Sequence, residues 1–262
     1  MLTPKADRQS IIHFVRFLDA LGYGVPKIDH WPEDTGEDAQ PDAIAGQYVI
    51  EHTSIDVLPN QRRNDAWFTT VIEGLTDECE PALDGRLVIW FPFDAVAPGQ
   101  DWDQMRHALR VWVSSEANLL KDGPHESVSV PGIPFPLRMV KGGEFGGRKL
   151  MFGRHVTEDN QFPERLSTQA KRKLKKLSAH RTAGKRTILL FESTDRALMS
   201  HARVLEAIEV IFPVWPSELD EAWFAHVLGS DLTSYCNLRT SEFHTFNIAT
   251  HSVIPKAMSG WD

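Results

Sequence analysis

Two carboxylates, Asp42 and Glu51, flank the dipeptide Gly46-Gln47, which separates two short apolar runs. A glycine-led pair between such runs reads as a tight hairpin or as a strand with a bulge. Along the second run the side chains alternate, so Val49, Glu51, Thr53 and Ile55 share one face while Ile50, His52 and Ser54 share the other. A tight turn returns Asp42, at the start of the first run, to the side of Glu51. Carboxylates held that closely repel unless they share a proton or a cation, and Mg²⁺ is bound by one or two carboxylates with water and substrate phosphate. Phosphodiester hydrolysis needs such a site, because the metal polarises the phosphoryl oxygen, acidifies a bound water and offsets developing charge.

The cations are concentrated elsewhere. Residues 165 to 186 carry nine Lys/Arg and no acid, within a chain of formal net charge −8. With Leu166 set at zero, a helical wheel places Ala170, Leu174 and Leu177 at about 40°, 80° and 20°, and Lys173 at about −20°. Lys173 thus lies inside the apolar stripe, Lys176 on its rim, and Lys171 and Lys175 point to solvent. Lys171, Arg172, Lys175, Arg181, Lys185 and Arg186 are expected phosphate contacts for a nucleic-acid partner. A solvated helix face is the plainer alternative.

The hairpin resembles the motif of the PD-(D/E)XK (restriction-endonuclease-like) nuclease superfamily. Here it is Pro41-Asp42, eight intervening residues, then Glu51-His52-Thr53. The resemblance covers residues 6 to 56 and 163 to 227, and it follows the family's order of helix, hairpin, basic helix and apolar strand. It implies that Asp42 and Glu51 hold Mg²⁺ or Mn²⁺, with the main-chain carbonyl of His52 as a third ligand and Asp19, from the first helix, as a further acid. Thr53 departs from the pattern, since threonine cannot supply the positive charge of the family's lysine. Some members carry that lysine on the helix after the hairpin. By that likeness Lys173 is the first choice for the role and Lys176 the second. The implied function is metal-dependent cleavage of DNA or RNA. The alternative is an inactive protein of the same fold that binds nucleic acid or a protein partner.

These residues need a scaffold. Helical spacing of Ile11, Phe14, Val15 and Leu18 predicts a helix over 6–21, ended by Gly22 and Gly24, and a loop to 40. Further helices are expected over 58–73, 101–120, 163–179 and 195–211. Strands are expected near 86–93, 127–130, 137–140, 149–155, 187–193, 222–227 and 243–248. Helices interleaved with apolar strands give an α/β class with a mixed central sheet flanked by helices. The implied division is a nuclease-like core from 1–60 and 161–262 carrying an α+β insertion at 61–160.

The remaining signals narrow the class. Apolar residues form 42 % and charged residues 24 % of the chain, a globular composition. The amino-terminal segment reads as neither a signal peptide nor a transit sequence, and no apolar run reaches the roughly 20 residues of a membrane span. Two distant cysteines indicate neither a disulfide framework nor a cysteine zinc site, so a reducing cytoplasm is expected. The histidines are scattered, with no HExxH, and His244 with His251 lacks a third ligand. The glycine-rich 142–147 segment lacks the Lys-Ser/Thr of a P-loop and reads as a hairpin turn, and no GxSxG motif occurs. Trp90, Trp102 and Trp112 suit core packing better than base stacking. An exposed apolar patch in the insertion would mark a homodimer or partner-protein interface.

Overall fold

The computed structural model describes residues 6–25, 27–32, 40–142, 147–156, 160–195 and 198–255. The chain divides into two compact units, residues 1–58 with 159–262, and residues 59–158. Each is α/β.

The first unit is built on a seven-stranded mixed sheet of β1 (Ala43–Ala45), β2 (Tyr48–Ser54), β7 (Arg186–Ser193), β8 (Glu221–Val227), β9 (Leu232–Asn237), β10 (Glu242–Asn247) and β11 (Ser252–Ile254), in that spatial order. The β2–β7 and β7–β8 pairs are parallel and the others antiparallel. The central strands are apolar on both faces because helices cover both, the usual state of parallel strands. On one face lies α1 (Ala6–Ala20), whose Ile11, Phe14, Phe17 and Leu18 pack on Ile50, Leu190, Trp223 and Tyr235. The helix ends in a Schellman turn, with the Tyr23 N–H donating to the Leu18 carbonyl and the Gly22 N–H to that of Asp19. On the other face lies α5 (Phe162–Thr182), accompanied by α6 (His201–Ile211).

The β1–β2 turn is the two-residue Gly46-Gln47, with Ala45 paired to Tyr48. Gly46 takes φ +59° and Gln47 is not among the positive-φ residues, the sign pattern of a II′ hairpin turn. A Cβ on Gly46 would meet nothing within 4 Å, so its cost is conformational alone. Gly46→Ala is therefore expected to lower stability by about 1–2 kcal/mol. Urea denaturation checks this as a reduced midpoint at unchanged slope; an unmoved midpoint would mean that the turn relaxes freely.

The second unit has a four-stranded sheet ordered β4 (Gly123–Val128), β5 (Leu137–Gly142), β3 (Arg86–Pro92), β6 (Lys149–His155). Helices α2 (Gln61–Ile72), α3 (Leu75–Cys79) and α4 (Trp102–Ser115) bury Val71, Leu75, Leu109 and Trp112 against Leu87, Ile89, Phe91 and Met139. β5 and β6 lie on opposite sides of β3, antiparallel and parallel to it. β5 and β6 therefore do not pair as a hairpin with each other, and the turn expected over 142–147 falls on residues 143–146, which lie outside those described. Trp112 is buried and Trp102 packs on the core as expected, but Trp90 points to the helix-free face and is 37 % exposed. The alternation of β3 explains this: Leu87, Ile89 and Phe91 take the inward positions, leaving Trp90 with Arg86 and Val88 on the other face.

Candidate carboxylate and lysine site

The β1–β2 ladder runs to Ala43 opposite Ile50, and one further step of the register sets Asp42 opposite Glu51. Residues directly opposite in an antiparallel pair point to the same face, here the face covered by α5. The main chain fixes this corner. Arg186 N–H bonds the Gln47 carbonyl and Ile55 N–H the Glu192 carbonyl, so odd-numbered peptide groups of β2 look toward β7 and even-numbered ones toward β1. His52 lies just beyond the end of β1, and its N–H donates instead to Asp42 Oδ2 at 2.6 Å. Its carbonyl faces the same edge.

Helix α5 runs alongside β2 with its charged flank in register. Arg165 donates to the Val57 carbonyl, Gln169 lies 3.4 Å from the Thr53 hydroxyl, and Lys173 reaches the carboxylates. Lys173 Nζ lies 2.9 Å from Asp42 Oδ2 and 2.6 Å from Glu51 Oε2. Lys176 Nζ lies 3.4 Å from Glu51 Oε1, 4.0 Å from Asp42 Oδ1, and donates to the Gln40 carbonyl at 2.9 Å. Lys173 is only 8 % exposed because Leu166, Ala170 and Leu177 of the same stripe carry it into the core.

Glu51 is wholly buried. Burial and then the neighbouring Asp42 charge push its carboxyl up to about 7, against the opposing pull of Lys173 and Lys176. For Lys173 burial works against the charge, but Glu51 and Asp42 prevail and hold its ammonium above the ordinary lysine value. The lysine is thus a fixed cation at neutral pH, while the glutamate is poised to exchange a proton.

His52 uses its ring on the opposite face of β2, where Nε2 lies 2.6 Å from Glu192 Oε2. Burial disfavours the Glu192 charge, yet the hydrogen bond and charge from His52 hold this carboxyl below its ordinary value. Asp19 does not join the site. It is exposed at the carboxyl end of α1, a helix that packs on the face of the sheet opposite Glu51. The geometric reason is the alternation of β2: Ile50 meets α1, so Glu51 must face α5.

Of the expected phosphate contacts, Lys171, Arg172 and Lys175 are exposed on α5. The other three also make contacts within the fold. Arg181 pairs with Asp220 at 3.0 Å, Lys185 donates to the Gly46 carbonyl at 3.0 Å, and Arg186 pairs with Glu221 at 2.8 Å beside the Tyr48 ring. Two contributors escaped the sequence reading. On the same wheel Gln169 falls at about −60°, between Lys173 at about −20° and Lys176 at about −80°, a position that periodicity could have flagged. Glu192 is a carboxylate in an apolar strand, the same signal that singled out Glu51.

Both Glu51 carboxylate oxygens are buried without a well-angled hydrogen-bond donor, so their partners are the two ammonium groups. Among the described residues, no group of three or more His, Cys, Asp or Glu side chains is placed to hold a metal ion. The donors at this corner are therefore Asp42, Glu51 and the His52 carbonyl. Two carboxylates and a carbonyl suit a hard cation that keeps part of its water, such as Mg²⁺ or Mn²⁺. Compared with known proteins, the chain matches no family model, no curated protein and no solved structure.

Proposed function

We propose that the protein hydrolyses phosphodiester bonds of DNA or RNA with Mg²⁺ or Mn²⁺. The observation that carries this reading is one buried ammonium, Lys173, lying 2.9 and 2.6 Å from two carboxylates that come from a hairpin far away in sequence. Asp42, Glu51 and the His52 carbonyl would hold the cation. When bound, it supplies Lewis-acid polarisation of the phosphoryl oxygen and a more acidic water. Lys173 sets a fixed positive charge beside the scissile phosphate, where it offsets charge that develops as the leaving oxygen departs. Glu51, with its proton held near neutrality, accepts hydrogen bonds from water entering the site. Lys171, Arg172 and Lys175 guide the phosphate backbone along α5. Lys176, braced on the Gln40 carbonyl, keeps Glu51 oriented.

Asp42→Ala and Glu51→Ala are each expected to abolish Mg²⁺-dependent cleavage of plasmid DNA and of a transcribed RNA while the circular dichroism spectrum is retained. Wild-type cleavage by Glu51→Ala would end this reading. Mg²⁺ or Mn²⁺ should also raise the melting temperature, because a ligand that binds only the folded state stabilises it.

A second reading has its own observation. Lys173 and Lys176 together already pair with both carboxylates, as in a structural ion-pair network, which suits a binding component without catalysis. Binding of nucleic acid with neither cleavage nor a metal-dependent melting shift would favour it. Either way a cytoplasmic setting is proposed, supported by two buried free cysteines and by the lack, among the described residues, of a helix long and apolar enough to cross a membrane.

A further inference from the structure

The sheet of residues 59–158 is covered by helices on one face, and its other face carries an ordered set of side chains. The ladder registers fix three rows. Arg86 stands beside Lys149; Val88 lies between Val140 and Met151; Trp90 lies between Arg138 and Gly153. Cations therefore flank an apolar centre on both sides. Trp90, Val140 and Met151 remain 37 %, 41 % and 37 % exposed in the chain.

The tryptophan is seated, not stranded. A Cβ built on Gly153 would lie 2.5 Å from Trp90 Cζ3 and 2.6 Å from Cε3, so the indole occupies the place of the missing side chain. Gly153 has no positive φ that would call for glycine; its smallness serves the ring. One side of the indole rests on the strand and the rest meets solvent.

We propose that this helix-free face docks single-stranded nucleic acid, one base stacking on Trp90 while Arg86, Arg138 and Lys149 hold the flanking phosphates. Charge selects the occupant. In a chain of net charge −8, the face presents three cations, and the nearby carboxylate of Glu126 pairs with Arg138 at 3.1 Å. That pair is 53 % and 75 % exposed, so a phosphate can replace the carboxylate at little cost. Arg86 extends over Met151 Sδ at 3.5 Å, which keeps its guanidinium close to the apolar centre. A protein partner would be expected to meet a core depleted of lysine, and a duplex would hide the base faces that an indole can stack on. This inference stands apart from the carboxylate site and needs no catalysis.

The test is fluorescence anisotropy of a labelled 20-nucleotide oligothymidylate with the full chain in EDTA. Trp90→Ala is expected to weaken binding about tenfold, within the range of a lost base–aromatic stack, and Trp90→Phe to retain most of the affinity. Lys149→Glu, at an exposed position, should reduce the salt dependence by about one phosphate contact. EDTA withholds the divalent cation on which the proposed cleavage depends, so loss of the nuclease reading leaves this measurement intact. Absence of wild-type binding, or unchanged affinity in both Trp90→Ala and Lys149→Glu, would overturn the proposal. So would a wild-type dimer in sedimentation that Trp90→Ala dissociates without change in oligonucleotide affinity, which would make the face a self-association surface.

Discussion

Lys173→Met is expected to reduce the rate of Mg²⁺-dependent cleavage by about 10²–10³-fold, the loss typical of removing one preorganised group that stabilises a transition state. The same change should lower stability at pH 8 by about 3 kcal/mol, because it removes one partner from a buried ionic cluster. Methionine keeps the length and apolar stem of lysine, so the packing among Leu166, Ala170 and Leu177 is preserved and the missing element is the charge. Glu51 and Asp42 would then face each other with Lys176, 3.4 Å from Glu51 Oε1, as the ammonium that remains beside them. At lower pH Glu51 can take up a proton and avoid part of this cost, so the defect should shrink toward pH 5. Lys173→Arg separates the two roles. It restores a charge and with it much of the stability, but its planar fork cannot reproduce a single ammonium held between two carboxylate oxygens, and cleavage should stay low. Urea denaturation at two pH values, with single-turnover cleavage, reads both quantities. If Lys173→Met cleaves like the wild type, the lysine is a structural counterion and nothing more.

The wheel places Lys173 and the hairpin places Glu51 from sequence alone, because both rest on local periodicity: about 3.6 residues per helical turn and two per strand. The pairing of the two was not local. It depends on α5 covering the face of the sheet where Glu51 lies, and two alternating strand faces are equivalent until a helix is assigned to each. Asp19 shows the consequence, since its helix took the other face. Strands β3, β7 and β8 were legible as apolar runs, whereas β9, Leu232–Asn237, was not. Its sequence LTSYCN mixes polar and apolar residues because buried Thr233, Ser234 and Asn237 sit within a sheet covered by helices. α6 begins at His201, six residues after the expected start, where the Ser200 hydroxyl accepts from the Arg203 N–H as a cap. Trp90 was misassigned for a related reason. In RLVIWFPF every position is apolar after the arginine, so the run marks a strand but does not say which of its faces is covered.

Glu51→Gln should change the shape of the stability–pH curve and not only its height. In the wild type without divalent ions the carboxyl titrates near 7, above its ordinary 4.5, because burial and Asp42 disfavour the anion. A carboxyl raised in the folded state contributes stability that is complete below pH 4.5. That contribution declines as the unfolded chain loses its proton first, and it is gone above about pH 7. Over this window the wild type should lose up to about 3 kcal/mol relative to Glu51→Gln, which has no proton to release. Glu192, whose carboxyl is held low, acts with the opposite sign and below pH 4.5, so it leaves this window unaltered. Mg²⁺ adds a second arm. Above pH 7 a cation competes with no proton for Glu51 and should raise the wild-type melting temperature, whereas near pH 5 the proton already occupies the site and the shift should be small. The glutamine variant should respond weakly at both. Chemical denaturation from pH 4.5 to 8.5, with EDTA or Mg²⁺, supplies the four curves. Parallel wild-type and variant curves in EDTA would show that Glu51 ionises normally, and a Mg²⁺ shift of equal size in the variant would place the metal away from this carboxylate.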